Sequence, residues 1–281
     1  MKFKDYRLYY LSEGRTTDID YQSEEEIVYT IHQKCSEFMK DANRIALYRG
    51  KPQSTPFAYL DPKKHTRESK GLNNLYHKII DEHPIWSKYP SRSHSIIVSG
   101  EYDIAENYGS VHLVFPINGA EWGVCEESDF WYSFRKPLGG FTLADMEGWF
   151  YSFSTLYLKK DLPKFKNLSE IENHCKEMEK FVDAQRGQSL KDILYQDAMG
   201  FIESYVNDKT KIYDTLVSIL SPEAADVKLC DNKTLKKYIH DVYDDLGVGA
   251  ECWTESPCYI LAYDLFQNSD YLTDSLDLPS L

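Results

Sequence analysis

Three short stretches hold residue types that can do chemistry together. Leu47-Tyr48-Arg49-Gly50 sets an arginine beside a glycine behind an apolar run. Ile96-Ile97-Val98-Ser99-Gly100-Glu101 ends an apolar run on a serine, with Ala105 and Tyr108-Gly109 just beyond. A carboxylate comes from Glu251-Cys252-Trp253-Thr254-Glu255, or from the earlier Glu126-Glu127-Ser128-Asp129. Arginine holds phosphate oxygens with a fixed fork that lysine cannot imitate. A serine at a strand end positions such an arginine, or a ribose, by hydrogen bonds. A carboxylate facing a sugar stabilises an oxocarbenium-like cation, the logic of glycosidases, and fixed charge placed where charge develops is a large catalytic term. Each residue also has a plain structural role. Arg49 fits an exposed turn, Ser99 a cap for the helix that follows, Glu251 a solvated loop acid, and Asp129 the flank of an aromatic strand.

The pattern of the chain says which elements must position these groups. Ser23 followed by Glu26 has capping-box spacing, and Ile27, Ile31, Cys35, Phe38, Met39 and Ala42 recur with helical period. Ile45 to Tyr48 reads as a buried strand that delivers Arg49 at its end. Residues 51–70 read as a loop. Leu72, Leu75, Tyr76, Ile79 and Ile80 make a helix face that stops at His83-Pro84. Ser95 to Ser99 is a strand, a short helix surrounds Ile104 and Ala105, and Val111 to Ile117 is another strand. Asn118-Gly119 is a hairpin signal, which makes Trp122 to Cys125 the return partner. Helical patterns then dominate: Ser169 to Ala184, Ser189 to Val206, Ile212 to Leu220 and Thr234 to Leu246. Strand character returns at Pro257 to Tyr263. A buried strand without a partner is costly, so this one is expected to rejoin the early sheet. The domain reading is therefore 1–140 as the first part of an α+β core, 141–248 as a helical insertion, and 249–281 as the returning strand and tail.

Composition narrows the class. The chain has 281 residues, 32 Lys and Arg, 45 Asp and Glu, and a formal net charge of −13. With 42% hydrophobic and 14% aromatic residues it can bury a core, which excludes a disordered chain. The six cysteines form no Cys-x-x-Cys pair, so zinc-ligand spacing is absent. No apolar run approaches a membrane span, and the charged start is unlike a secretory signal. The expectation is a reduced, cytoplasmic protein with no membrane contact. The acidic balance disfavours non-specific nucleic-acid binding. A local basic stretch from Lys63 to Arg92 is followed by an acidic one from Glu101 to Glu147.

With these residues in view, the sequence resembles mono-ADP-ribosyltransferases of the Arg–Ser–Glu type. Those enzymes often carry aromatic-Arg-Gly on an early strand, then apolar-apolar-Ser-Thr-Ser before a helix, then a glutamate on a last strand. Here the order is kept, and Ser99 follows Arg49 by 50 residues. Arg67-Glu68-Ser69, Asn74-Leu75-Tyr76 and the run from Trp86 to Ser93 also resemble uncharacterised phage-associated relatives of that fold. The second motif departs from the family, since Gly100-Glu101 replaces Thr-Ser. Family members that modify arginine usually carry an acid or Gln two residues before the catalytic Glu. Glu251 has Gly249 there, Glu255 has Trp253, and Asp129 has Glu127.

The resemblance implies an α+β fold with an ADP-ribosyltransferase-like split mixed sheet and a helical insertion. It implies NAD as co-substrate, with Arg49 and Gly50 holding it and Ser99 orienting it. Glu251 is the first choice for the catalytic carboxylate, and Asp129 and Glu255 are the others. Tyr76 and Trp86 are candidates to stack on the cofactor. The implied acceptor is a macromolecule other than protein arginine, either RNA, DNA or protein. The implied setting is a toxin or phage-defence effector, with a neutralising antitoxin as a partner. An inactive binding protein of the same fold and an NAD glycohydrolase stay open as alternatives.

Overall fold

The computed structural model describes residues 17–18, 23–40, 45–64, 74–185, 205–246 and 249–278. The chain forms two compact units. The first comprises Met1–Lys70, Lys88–Phe130 and Val227–Leu281, and the second Gly71–Ser87 and Trp131–Asp226.

The first unit is a sheet with helices. Its strands are β1 (Thr17–Asp18), β2 (Tyr48–Lys51), β3 (Phe57–Leu60), β4 (Ile96–Ser99), β5 (Ser110–Pro116), β6 (Glu121–Cys125), β7 (Lys228–Asp231), β8 (Glu251–Thr254) and β9 (Cys258–Ala262). Their order across the sheet is β1-β3-β9-β5-β2-β4-β8-β6-β7, with β1 only two residues long. Every strand pairing among the described residues is antiparallel. This corrects the expectation of a mixed sheet, while the combination of helices and sheet stands. The returning strand does rejoin the early sheet, because β9 pairs with both β5 and β3.

The helices of this unit are α1 (Glu24–Lys34), α2 (Ser36–Met39), α3 (Tyr102–Glu106), α4 (Asn232–Leu246), α5 (Tyr263–Gln267) and α6 (Asp270–Leu276). Ser23 caps α1 by accepting from the Glu26 N–H, and three glutamates fill the first turn, where the helix dipole favours them. Ile27, Ile31, Cys35 and Phe38 are buried in one cluster with Val98, Leu113, Cys252, Ile260 and, from α4, Leu235 and Ile239.

Two elements differ from the sequence expectation. β2 starts at Tyr48 and runs through Lys51, so Arg49 lies inside the strand instead of at its end. The Leu47 carbonyl already accepts from the Val114 N–H, and the ladder continues because Arg49, Gly50 and Lys51 oppose His112, Val111 and Ser110. The Asn118-Gly119 turn does not close a hairpin. It carries the chain from β5 to β6, which lie on either side of β2, β4 and β8. Asn118 serves α2 instead, its Oδ1 accepting from the Glu37 N–H at 2.9 Å.

The second unit is helical. It contains Leu75–Glu82, Leu143–Leu156, Leu168–Ala184 and Ile212–Ile219. Thr142 and Asp145 form a capping box on the second of these, and Asn167 caps the third. Phe150, Phe153, Ile171, Cys175, Met178 and Leu216 are buried in it. Its extent differs from the insertion read from sequence. Residues 71–87 belong to it, whereas 227–248 belong to the sheet unit because β7 pairs with β6 and the Trp122 indole donates to Asn232 at the start of α4. Most of the helix expected over Ser189 to Val206 lies outside the described residues.

Candidate functional site

Arg49, Ser99 and Glu251 sit on β2, β4 and β8, three consecutive strands of the sheet. Ser99 lies opposite Glu251 in the β4–β8 ladder. β2 and β4 meet at one register position only, Tyr48 opposite Ser99. Residues directly opposite in an antiparallel pair share a face, so this pair sets Ser99 on the face of Tyr48 and the neighbouring Arg49 on the other.

Packing shows what covers each strand. On β2, Tyr48 meets Tyr102 of α3 and Tyr263 of α5, each with ring centroids 5.9 Å away. Gly50 shares that face, and a Cβ on it would lie 2.0 Å from the Ala105 carbonyl oxygen. Gly50 is therefore glycine so that α3 can lie on β2. Arg49 leaves β2 on the face opposite α3. On β4 and β8, Val98 and Cys252 join the core, and a Cβ on Gly100 would meet Ile239 of α4. Ser99 and Glu251 leave on the face opposite α4.

Each side chain has protein partners. Arg49 is 8% exposed, and its guanidinium donates to the carbonyl of Ile97, where β2 and β4 part. Ser99 Oγ accepts from the Glu101 N–H at 3.0 Å. The Glu251 carboxylate accepts from Arg92 Nη2 at 2.6 Å and from the Phe130 N–H at 3.3 Å. Side-chain exposures of 4% for Arg92 and 12% for Glu251 make this a buried ion pair. The Arg92 guanidinium carbon also lies 4.0 Å from the Phe130 ring centroid and 4.7 Å from that of Trp253, both favourable cation–π placements. Glu251 is thus an oriented carboxylate with two defined donors. Arg92 was visible in the sequence within the run from Trp86 to Ser93, but no spacing rule linked it to a residue so far along the chain.

The other candidates are distributed as follows. Asp129 lies in the segment passing beside β8, where the Glu127 carbonyl accepts from the Glu251 N–H at 3.0 Å. Both first-choice and reserve carboxylates therefore lie at the same end of β8. Glu255 lies beyond Thr254, at the end of β8 remote from Ser99. Tyr76 and Trp86 belong to the helical unit and are 1% and 3% exposed. The Tyr76 hydroxyl donates to the Leu143 carbonyl, and the Trp86 indole to that of Leu220. Both act as core aromatics, with their polar atoms engaged. In the basic stretch, Lys78 pairs with Glu82 and Arg92 with Glu251, while Arg67, Ser69 and Lys70 lie outside the described residues.

Beside Arg49, His112 is fully buried on β5. The Thr55 N–H donates to its Nε2 at 3.1 Å, so its proton is on Nδ1, which donates to the Ser110 carbonyl at 2.9 Å. Burial, then the Lys51 and Arg49 cations, lower its pKa to about 4. The ring is a neutral support in a cationic neighbourhood.

Comparison with protein-family models, curated proteins and solved structures gave no match.

Proposed function

We propose that this chain is an NAD-dependent ADP-ribosyltransferase acting on a macromolecular acceptor. One observation carries the reading: an arginine, a serine and a glutamate picked from distant motifs occupy three neighbouring strands of one sheet, with Ser99 directly opposite Glu251. The single pairing between β2 and β4, with Arg49 at the parting, fits the split sheet that the resemblance implies.

In this reading Arg49 grips the cofactor phosphates with its fork. Ser99 fixes the strand end and the ribose beside it. Glu251, held by Arg92 and Phe130, presents its negative charge to the ribose as the nicotinamide bond breaks. Fixed charge of this kind needs no reorganisation at the moment of reaction. RNA, DNA and protein are all candidate acceptors, and Gly249 in place of an upstream acid argues against protein arginine. A toxin or phage-defence effector with a neutralising antitoxin is the biological form we favour.

The test is incubation of purified protein with labelled NAD and separate RNA, DNA and protein pools. Label transfer is expected to one pool, with release of nicotinamide. Arg49→Ala is expected to abolish NAD binding, and Glu251→Gln to leave binding intact and remove turnover. Transfer to no pool, with no NAD consumed, removes the enzymatic reading.

A second reading is favoured by the Arg92–Glu251 pair itself. A carboxylate engaged by a buried arginine also serves a fold that binds or scaffolds without catalysis. That reading requires no NAD affinity, which calorimetry with NAD measures directly.

A further inference from the structure

Glu101 stands two residues beyond Ser99, at the position that precedes α3. A carboxylate there ordinarily accepts from the first N–H groups of the helix. The Glu101 side chain makes no such cap, and among the described residues it has no hydrogen-bond or ion-pair partner. It leans across to Gly249 instead, just ahead of β8. An ideal Cβ on Gly249 would lie 2.5 Å from Glu101 Cγ, 2.9 Å from Cδ and 3.0 Å from Oε1. Gly249 leaves the room that this carboxyl occupies. Extended past Ser99 and Glu251, the ladder continues through the Gly100 N–H donating to the Ala250 carbonyl at 3.3 Å. Glu101 therefore shares a face with Ser99, and its carboxyl lies against Gly249, two residues before β8 begins at Glu251.

Two carboxylates on one face are in different circumstances. Glu251 is held by a buried guanidinium and a backbone N–H. Glu101 is half-buried and held by neither. Paired acids in unlike surroundings take unlike roles, one as fixed charge and the other as proton carrier. We propose that Glu101 is a second catalytic carboxylate, the general base that takes the proton from the incoming nucleophile. The inference rests on the transferase reading above. In the step, an acceptor X–H gives its proton to the Glu101 carboxylate, and X forms a bond to the ribose C1′. The bond from C1′ to the pyridinium nitrogen breaks, and its electron pair leaves with neutral nicotinamide. The positive charge of the cofactor is thereby discharged, and protonated Glu101 returns its proton to water.

The experiment compares wild type with Glu101→Gln, using NAD, the labelled acceptor pool and added azide. Azide is an anionic nucleophile that needs no base. Glu101→Gln is expected to keep the KM for NAD and the unfolding midpoint, and to lose roughly 100-fold or more in kcat. Azide is expected to restore nicotinamide release in the variant, with an azido-ADP-ribose product. Wild-type turnover with an equally active Glu101→Gln overturns the assignment and leaves the transferase reading standing. A slow variant that azide fails to accelerate also overturns it, because a merely structural glutamate gives that result. Failure of wild type to consume NAD or label any pool removes the transferase reading, and this inference with it.

Discussion

The Glu251 carboxylate shows how a single residue is constrained before any ligand arrives. Arg92 gives it a charge-assisted hydrogen bond, and two aromatic rings confine the guanidinium. Removing one partner leaves a charge in a place built for two. Arg92→Met is accordingly expected to destabilise the sheet unit by about 3–5 kcal/mol in urea denaturation. Replacing both, as Arg92→Met with Glu251→Leu, is expected to recover most of that loss, since a buried pair exchanges with apolar side chains at little net cost. A double variant no more stable than Arg92→Met alone refutes this account of the pair. Gly50 makes a complementary residue-scale case. Gly50→Ala forces a methyl group onto a backbone oxygen of α3 that cannot rotate away, with an expected loss of about 1–3 kcal/mol. An Ala variant as stable as wild type in the same measurement places α3 farther from β2 than the structure has it.

At the scale of elements, local chemistry was legible and pairing was not. The capped α1, the strand ending at Ser99 and the late strand through Ile260 follow from period and cap residues alone. The requirement that a buried strand find partners also led correctly to β9 rejoining the sheet. Asn118-Gly119 misled because a turn signal fixes the bend and not the next neighbour. The strand after it joins β8 and β7, whose residues come more than 100 positions later. The site divides in the same way. Arg49, Ser99 and Glu251 stood out by type and flanking pattern. Arg92 as the partner of Glu251 and Glu101 beside Gly249 became visible only with the register. Tyr76 and Trp86 stood out as aromatics, and burial in the helical unit gives them core roles. Asn118 yields a prediction at this scale. Its amide oxygen serves the Glu37 N–H while its Nδ2 donates to Ser36 Oγ at 3.1 Å, so it ties the β5 exit to α2. Asn118→Ala is expected to lose about 1 kcal/mol, as a deleted helix cap does. Hydrogen exchange is expected to quicken first at Glu37 and Phe38, and unchanged protection there contradicts the role.

For the whole molecule, acid sensitivity links buried chemistry in both units. His112 in the sheet unit and His174 in the helical unit are buried, and each has its pKa lowered to about 4. Desolvation is the first cause for both, with nearby Lys51 and Arg49 adding to it for His112 and Lys160 for His174, while Glu177 acts in the opposite direction. Around His174, Ser154 Oγ donates to the Phe150 carbonyl at 2.8 Å and lies 2.9 Å from Nε2. The ring therefore carries its proton on Nε2, and a second proton would go to Nδ1, which has no partner among the described residues. In His112 the second proton would confront the Thr55 N–H. Because the folded pKa lies below the unfolded value near 6.5, the unfolded chain binds the extra proton first as pH falls. Stability is then fully present above about pH 6.5 and declines toward pH 4, by on the order of 2–3 kcal/mol per histidine. Urea denaturation at pH 7.5 and 5.0 is expected to show a clear loss in wild type. His174→Phe removes the titrating group from one unit and is expected to lose less stability over the same interval, whatever its stability at pH 7.5. A wild-type curve flat between those pH values would mean that both histidines accept protons in the folded state, against the hydrogen bonds that hold them neutral.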